Sequence, residues 1–171
     1  MVNALFVAVV LLTLLTLFNL VLVLGLVRRL RSHEERLTGL AEPPAVTSVK
    51  PGQQVGDFTV STVDGEVVKR GSLRGPTLVG FFSPNCSACH ERLGDFVSVA
   101  ARHPGDVLSV VVNDGGDTAP VVAALSATNV VVEDPEGPLG SAFGVHGYPA
   151  FIILTGDGVV ESVGYQVPVP A

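Results

Sequence analysis

Hydrophobic and polar positions divide the chain into an apolar first segment and a mixed remainder. Residues 4–27 form 24 consecutive positions without a charged side chain. As a helix, this segment would be about 36 Å long at about 1.5 Å rise per residue, enough to cross the roughly 30 Å hydrocarbon layer of a bilayer. It lacks the positively charged start and the small-residue cleavage site of a secretory signal peptide. The pattern therefore predicts a retained transmembrane anchor over residues 4–27.

The next two segments differ in charge and in proline content. Residues 28–40 (RRLRSHEERLTGL) mix both charges with leucines at near-helical spacing, which predicts a juxtamembrane helix. Residues 41–55 contain three prolines and show little apolar periodicity, which is typical of a linker. We therefore expect one compact domain over residues 56–171.

Within this domain, strand patterns and helix patterns alternate. Apolar runs and alternation predict strands at 58–62, 66–69, 77–82, 107–112, 130–132, 151–154 and 159–163. Helical spacing predicts helices at 86–102, 119–127 and 137–143. This order predicts an α/β domain with a central mixed sheet, parallel in one part and antiparallel at one edge, flanked by helices.

Charge and cysteine content narrow the possible functions. From Ala41 onward, six Lys and Arg residues face fourteen Asp and Glu residues, a net charge of 6 − 14 = −8. Because phosphate binding needs the opposite sign, we expect no nucleic-acid partner. Two cysteines are too few to staple a small scaffold, which favours redox or metal chemistry.

Both cysteines lie in one CxxC motif. Cys86 and Cys89 follow the predicted strand 77–82 and a short turn, so Cys86 stands at the N-terminus of the next helix. Free backbone N–H groups and the positive end of the helix dipole favour a thiolate there. We expect Cys86 to attack a disulfide and Cys89, one turn further on, to resolve the mixed disulfide. We expect neither a metal nor a cofactor.

Three other interpretations of the cysteines remain open. The pattern C-x-x-C-H, which includes His90, also fits covalent haem attachment, although Met1 is the sole methionine and a distal ligand is lacking. A zinc site would need ligands from the four histidines, without a second paired motif. The cysteines could also be inert core residues.

A proline directly precedes the predicted strand 151–154. Pro149 cannot donate a hydrogen bond in a central ladder, and a cis bond in a tight turn is one reason for its position. A trans proline in a surface loop is the other.

The segments FFSPNCSACH and HGYPAFIIL together carry a resemblance to a known family. Residues 55–164 resemble the thioredoxin-like proteins of the TlpA/ResA disulfide-reductase group, and most closely its MauD-like branch. The resemblance implies a thioredoxin-like fold, with Pro149 as a cis-proline facing the CxxC motif and Tyr148 presenting its backbone to a substrate peptide. Two positions depart from related proteins: Asn85 stands where the group often has Trp, and Gly80 stands where thioredoxin has a buried Asp.

The resemblance also implies a location and partners. It places the domain on the outer face of the cytoplasmic membrane, held by a single-pass anchor. Its partners would be a cysteine-containing protein substrate and an upstream membrane electron donor. The positive-inside rule opposes this orientation, because Arg28, Arg29, Arg31 and Arg36 all follow the predicted anchor.

The sequence thus predicts a membrane-anchored thiol:disulfide oxidoreductase that works as a disulfide reductase. One alternative is a peroxiredoxin-like thiol peroxidase on the same fold. Another is a thioredoxin-fold adaptor that binds a partner without catalysis.

Overall fold

The computed structural model describes residues 11, 12, 15–17, 19 and 45–168. It divides the chain into two compact units, Met1–Pro44 and Ala45–Ala171. In the first unit the described residues are helical, and their leucines are exposed. No helix among the described residues is long and apolar enough to cross a membrane. The predicted anchor (4–27) lies mostly, and the predicted juxtamembrane helix (28–40) wholly, outside the described residues.

The second unit contains a five-stranded mixed sheet and a separate hairpin. β3 lies at the centre of the sheet, whose order is β5-β4-β3-β6-β7; β3, β4 and β5 are parallel, whereas β6 and β7 are antiparallel to their neighbours. β1 and β2 pair as the predicted antiparallel hairpin. The strands are β1 (Thr59–Ser61), β2 (Val67–Lys69), β3 (Thr77–Phe82), β4 (Val107–Val112), β5 (Asn129–Glu133), β6 (Ala150–Leu154) and β7 (Val160–Gly164).

Within residues 45–168, three α-helices and one short 3₁₀ helix accompany the strands. They are the 3₁₀ helix Arg70–Ser72, α1 (Ser87–Ala100), α2 (Ala119–Ala124) and α3 (Pro138–Phe143). α2 ends three residues before the predicted limit of 127, because the N–H and the hydroxyl of Thr128 both bond to the Leu125 carbonyl and turn the chain. With this difference, the structure confirms the predicted α/β domain with a mixed sheet and flanking helices.

The sheet separates two apolar clusters. β3 is buried at every position because it packs on both faces, which explains why Thr77 is its one polar residue. Val79 and Phe81 face a cluster that includes α3 and the hairpin, while Leu78 and Phe82 face α1 and α2. On the second face, Phe96 of α1 packs edge-on against the ring of Phe82, with centroids 5.1 Å apart.

The strand directions bring several loops to one edge of the sheet. The carboxyl ends of the parallel strands β3, β4 and β5 lie at the same edge, and the amino end of the antiparallel strand β6 joins them there. The CxxC turn, the loop after β4, the end of β5 and the Tyr148–Pro149 turn therefore lie close together. Ligand and catalytic groups commonly occupy this edge of α/β sheets.

Residues 45–55 belong to the domain, which corrects the predicted linker over 41–55. Thr47 forms an antiparallel bridge with Val145, and Gln54 forms another with Val159. Val55 is 1% exposed and packs in the core. The domain therefore begins at Ala45 rather than at residue 56. The sequence does not indicate this, because pairing through the backbone leaves no apolar periodicity.

Candidate active site

Cys86 occupies the N-cap position of α1. Its backbone is extended, with φ −98° and ψ 110°, and its sulfur accepts a hydrogen bond from the backbone N–H of Cys89 at 3.2 Å. The side chain is half-buried and unbridged, so a partner sulfur can reach it. The sulfur thus caps an N–H group of the first helical turn that has no partner within the helix. The structure thus places Cys86 where the sequence predicts a nucleophile.

Cys89 lies one turn further into the helix and is 3% exposed. Burial, the hydrogen bond with the Cys86 side chain and the negative charges of Cys86 and Asp114 raise the pKa of Cys89 to about 12, against a lowering hydrogen bond from the Ser83 backbone. At neutral pH Cys89 is therefore a neutral, shielded thiol. Cys86 is partly accessible and Cys89 is shielded, as expected if Cys86 attacks a disulfide and Cys89 resolves it.

The Tyr148–Pro149 turn lies against Cys86. The peptide bond between these two residues is cis, and the Tyr148 carbonyl oxygen is 3.4 Å from the Cys86 sulfur, which donates to it. Pro149 is buried directly before β6, and Tyr148 is half-buried. All four residues that the sequence singles out, Cys86, Cys89, Tyr148 and Pro149, are thus brought to one place.

A carboxylate that the sequence analysis missed holds the turn before Cys86. Asp114, in the loop after β4, accepts a hydrogen bond from the buried Ser83 hydroxyl at 2.5 Å. Its other oxygen accepts from the Asn85 side-chain amide at 3.0 Å. The Ser83 carbonyl in turn accepts from the Cys86 N–H at 3.2 Å. The available signal was topological, because loops that follow neighbouring parallel strands meet at one edge.

The position of Gly80 shows why no acidic side chain stands on β3. A Cβ at Gly80 would lie 2.6 Å from Cε2 and 2.8 Å from Cζ of Phe96, far inside van der Waals contact. The phenyl ring therefore fills the space that a side chain at position 80 would occupy.

Glu133 is a second buried carboxylate at this edge, and the sequence analysis missed it as well. It ends β5 at 8% exposure and accepts hydrogen bonds from the Leu139 and Gly140 N–H groups at 2.9 and 2.7 Å. Burial raises its pKa, while those two bonds lower it. Glu133 thereby holds the first turn of α3 in place. The pKa of Tyr148 is raised, chiefly by burial and next by the negative charge of Glu133.

His90, the last residue of the C-x-x-C-H pattern, lies in the first turn of α1. The His90 ring nitrogen Nδ1 lies 3.0 Å from the Cys86 carbonyl oxygen, and the ring is exposed. Within residues 45–168 and the few earlier described positions, no group of three or more His, Cys, Asp or Glu side chains is arranged to hold a metal ion.

Comparison of the sequence with protein families gives a match over most of the domain. Residues 51–163 match the AhpC/TSA family, which is more than half of the 171-residue chain. The chain belongs to the AhpC/TSA family. No curated protein sequence matches it.

Comparison with solved structures identifies the fold of this AhpC/TSA member. It is similar to the thioredoxin domain of a thiol-disulfide oxidoreductase from Bacteroides vulgatus, with TM-score 0.56 and 16% identity over 70% of this chain and 91% of that chain. It is also similar to a thio-disulfide isomerase from Thermus thermophilus, with TM-score 0.56 and 20% identity over 71% and 89%. StoA from Bacillus subtilis matches with TM-score 0.53 and 20% identity over 67% and 90%.

These comparisons confirm the thioredoxin-like fold that the sequence resemblance implied. The predicted enzyme class, an oxidoreductase, agrees with the name of the Bacteroides vulgatus neighbour, a thiol-disulfide oxidoreductase, while the Thermus thermophilus neighbour is named a thio-disulfide isomerase. The peroxiredoxin-like alternative is not favoured by them.

Proposed function

We propose that this protein is a membrane-anchored thiol:disulfide oxidoreductase that reduces disulfides in protein substrates through Cys86 and Cys89. The observation that carries the proposal is the pairing of a half-buried sulfur at a helix N-terminus with a buried thiol one turn behind it. The Tyr148 carbonyl beside Cys86 supports it, because an extended substrate segment could pair with the backbone there.

The reaction uses the two cysteines one after the other. The Cys86 thiolate attacks one sulfur of a substrate disulfide, which breaks that bond, forms a mixed disulfide and releases the other substrate sulfur as a thiolate that takes up a proton from water. Cys89 then loses its proton and attacks the Cys86 sulfur. The second substrate sulfur leaves as a thiol, and a Cys86–Cys89 disulfide remains. Two electrons have passed to the substrate, and an upstream donor has to supply two more before the next cycle.

An insulin reduction assay tests this activity against the adaptor alternative. Full-length protein in detergent, with dithiothreitol as the donor, should accelerate insulin precipitation, and Cys86→Ser should abolish the acceleration. Ser126→Ala, a surface change outside the site, should behave like wild type. An adaptor would leave the rate at that of dithiothreitol alone.

The direction of exchange follows from the reduction potential of the cysteine pair. A value near that of thioredoxin, about −270 mV, is expected for a reductase. A value near about −120 mV would instead make the protein an oxidant. Equilibration of full-length protein with glutathione buffers of known ratio measures this potential.

We further propose that the domain lies outside the cytoplasmic membrane, as in the MauD-like branch that the sequence resembles. The predicted anchor over residues 4–27 supports attachment, whereas the four arginines that follow it favour the opposite orientation. A C-terminal alkaline phosphatase fusion should be active and a fluorescent-protein fusion dark. The reverse pattern would place the domain in the cytoplasm.

A further inference from the structure

The segment between α3 and β6, residues 144–149, carries Tyr148 to Cys86. It begins at Gly144, which ends α3 with a left-handed φ of 58°, and it forms no regular helix or strand. Its far end matters for the proposed chemistry, because the Tyr148 carbonyl oxygen is 3.4 Å from the Cys86 sulfur. Since the segment has no ladder of its own, other parts of the domain have to bond to its backbone and hold it in place.

Residues 45–48 (AVTS), which we call the strap, run alongside this segment. The Val46 carbonyl accepts hydrogen bonds from the N–H groups of His146 and Gly147, at 2.9 and 3.3 Å. One carbonyl of the strap therefore holds the two residues that directly precede Tyr148.

The strap also holds the start of the segment. Thr47 forms an antiparallel bridge with Val145. The Ser48 N–H donates to the Gly144 carbonyl at 2.7 Å, and the Ser48 hydroxyl donates to the same oxygen at 3.2 Å. Thr47 is 5% exposed, so the strap is packed into the domain. Its contacts thus extend from the end of α3 to the residue before Tyr148.

The strap stops one residue short of Tyr148. Within residues 45–168 the Tyr148 N–H makes no hydrogen bond, and the Tyr148 carbonyl accepts one from the Cys86 sulfur. Both backbone groups of Tyr148 are therefore available to a substrate segment that pairs with them as an added strand. A strap that blocked the substrate would bond to Tyr148 itself, so this arrangement favours positioning over inhibition.

Building on the function proposed above, we propose that the strap is a positioning element for substrate binding, which holds residues 144–147 so that the backbone of Tyr148 meets a substrate segment beside Cys86. The strap acts through Tyr148 rather than on the sulfur. Loosening it should therefore weaken the reaction with substrates that have a peptide backbone. Cys86 should keep its reactivity toward small disulfides that have none.

Two valines provide a matched pair of substitutions. Val46→Gly loosens the strap, because glycine adds backbone freedom and the packing of the valine side chain against the core is lost. Val49 is also half-buried and packs against the same apolar cluster, but its backbone makes no hydrogen bond with residues 144–148. Val49→Gly therefore controls for lost packing, and denaturant titration shows whether the two variants lose similar stability.

Two disulfide substrates separate positioning from a general loss of structure. With full-length protein in detergent and dithiothreitol as the donor, kcat/KM for insulin should fall about tenfold in Val46→Gly, as expected when a substrate loses about one backbone hydrogen bond. Val49→Gly should stay within about twofold of wild type. The rate of Cys86-dependent reduction of dithiobis(nitrobenzoate), which has no peptide backbone, should stay within about twofold in both variants.

Ser48 gives a second test that does not depend on the folding of Val46→Gly. Ser48→Pro removes the N–H that bonds to the Gly144 carbonyl, whereas Ser48→Ala removes only the hydroxyl. Ser48→Pro should therefore lower kcat/KM for insulin more than Ser48→Ala does. Amide hydrogen exchange gives a third test in wild type, in which the N–H groups of His146 and Gly147 should be protected.

Several results would overturn the assignment. They are equal losses in Val46→Gly and Val49→Gly, equal losses toward insulin and dithiobis(nitrobenzoate), equal effects of the two Ser48 substitutions, and rapid exchange at His146 and Gly147. Faster insulin reduction in Val46→Gly would overturn it too, because the strap would then block the site. Reduction of dithiobis(nitrobenzoate) by Cys86→Ser at the wild-type rate would instead contradict the proposed function itself.

Discussion

The ring of Phe96 lies where a side chain at Gly80 would have to be. A Cβ at Gly80 would come within 2.6 Å of this ring, which also stacks on Phe151 with centroids 5.7 Å apart. The ring is therefore held from a second side and cannot move away freely. Because of this contact, position 80 of β3 cannot carry a side chain that acts on Cys89. The same contact holds α1 against the sheet.

Gly80→Ala should therefore lower the free energy of unfolding by about 1–3 kcal/mol, the usual cost of overpacking a core. Gly80→Asp should cost more, because it also buries a carboxylate without a partner. Denaturant titration measures both. The matched background is Phe96→Leu, in which Gly80→Ala should cost less. An equal cost in both backgrounds would show that the ring is not the obstacle.

Glu133 should make stability depend on pH. Its pKa is raised in the folded protein from 4.5, so the folded state holds this proton more tightly than the unfolded chain does. The contribution of Glu133 to the free energy of unfolding is therefore largest below about pH 4.5 and falls as pH rises through the raised pKa.

Glu133→Gln removes that dependence. The free energy of unfolding of wild type, relative to this variant, should decrease from about pH 4 to about pH 7 in denaturant titrations. Glu161→Gln, at an exposed position on β7, should show no such trend. A difference between wild type and Glu133→Gln that grows with pH would mean that its two N–H bonds outweigh its burial.

The raised pKa of Cys89, about 12, predicts a strong contrast in alkylation. At neutral pH only on the order of one Cys89 in 10⁵ is a thiolate, as follows from a pKa near 12. Iodoacetamide should therefore modify Cys86 first in the reduced protein and reach Cys89 only at strongly alkaline pH, as peptide mass spectrometry can show. In urea both cysteines should react alike. Equal modification of the folded protein at neutral pH would contradict the burial of Cys89.

Much of the fold was predictable because its signals are local. β3 and β4 are mostly apolar, with Thr77 and Ser109 as their polar residues, and the structure places both strands at the predicted residues. The hairpin of β1 and β2 follows from the turn Asp64-Gly65. The CxxC motif was also readable, since a turn that follows a buried strand places Cys86 at a helix start.

Other features depend on contacts between distant residues, which the pattern does not encode. Residues 45–55 join the domain through backbone bonds such as that from the His146 N–H to the Val46 carbonyl, at 2.9 Å. Asp114 could not be singled out from the sequence, because its hydrogen-bond partner Ser83 lies 31 positions away along the chain. The apolar pattern predicted a strand that ends at residue 132, which left Glu133 outside it.

The most direct test of the account compares the complexes that Cys86→Ser and Cys89→Ser form with substrates. Cells that express each full-length variant are quenched with acid and an alkylating agent, and adducts are separated on non-reducing gels. Cys89→Ser should accumulate mixed disulfides, because Cys86 still attacks and nothing resolves the bond, whereas Cys86→Ser should trap almost none. Equal trapping by both variants, or by neither, would contradict the assignment of Cys86 to attack and Cys89 to resolution.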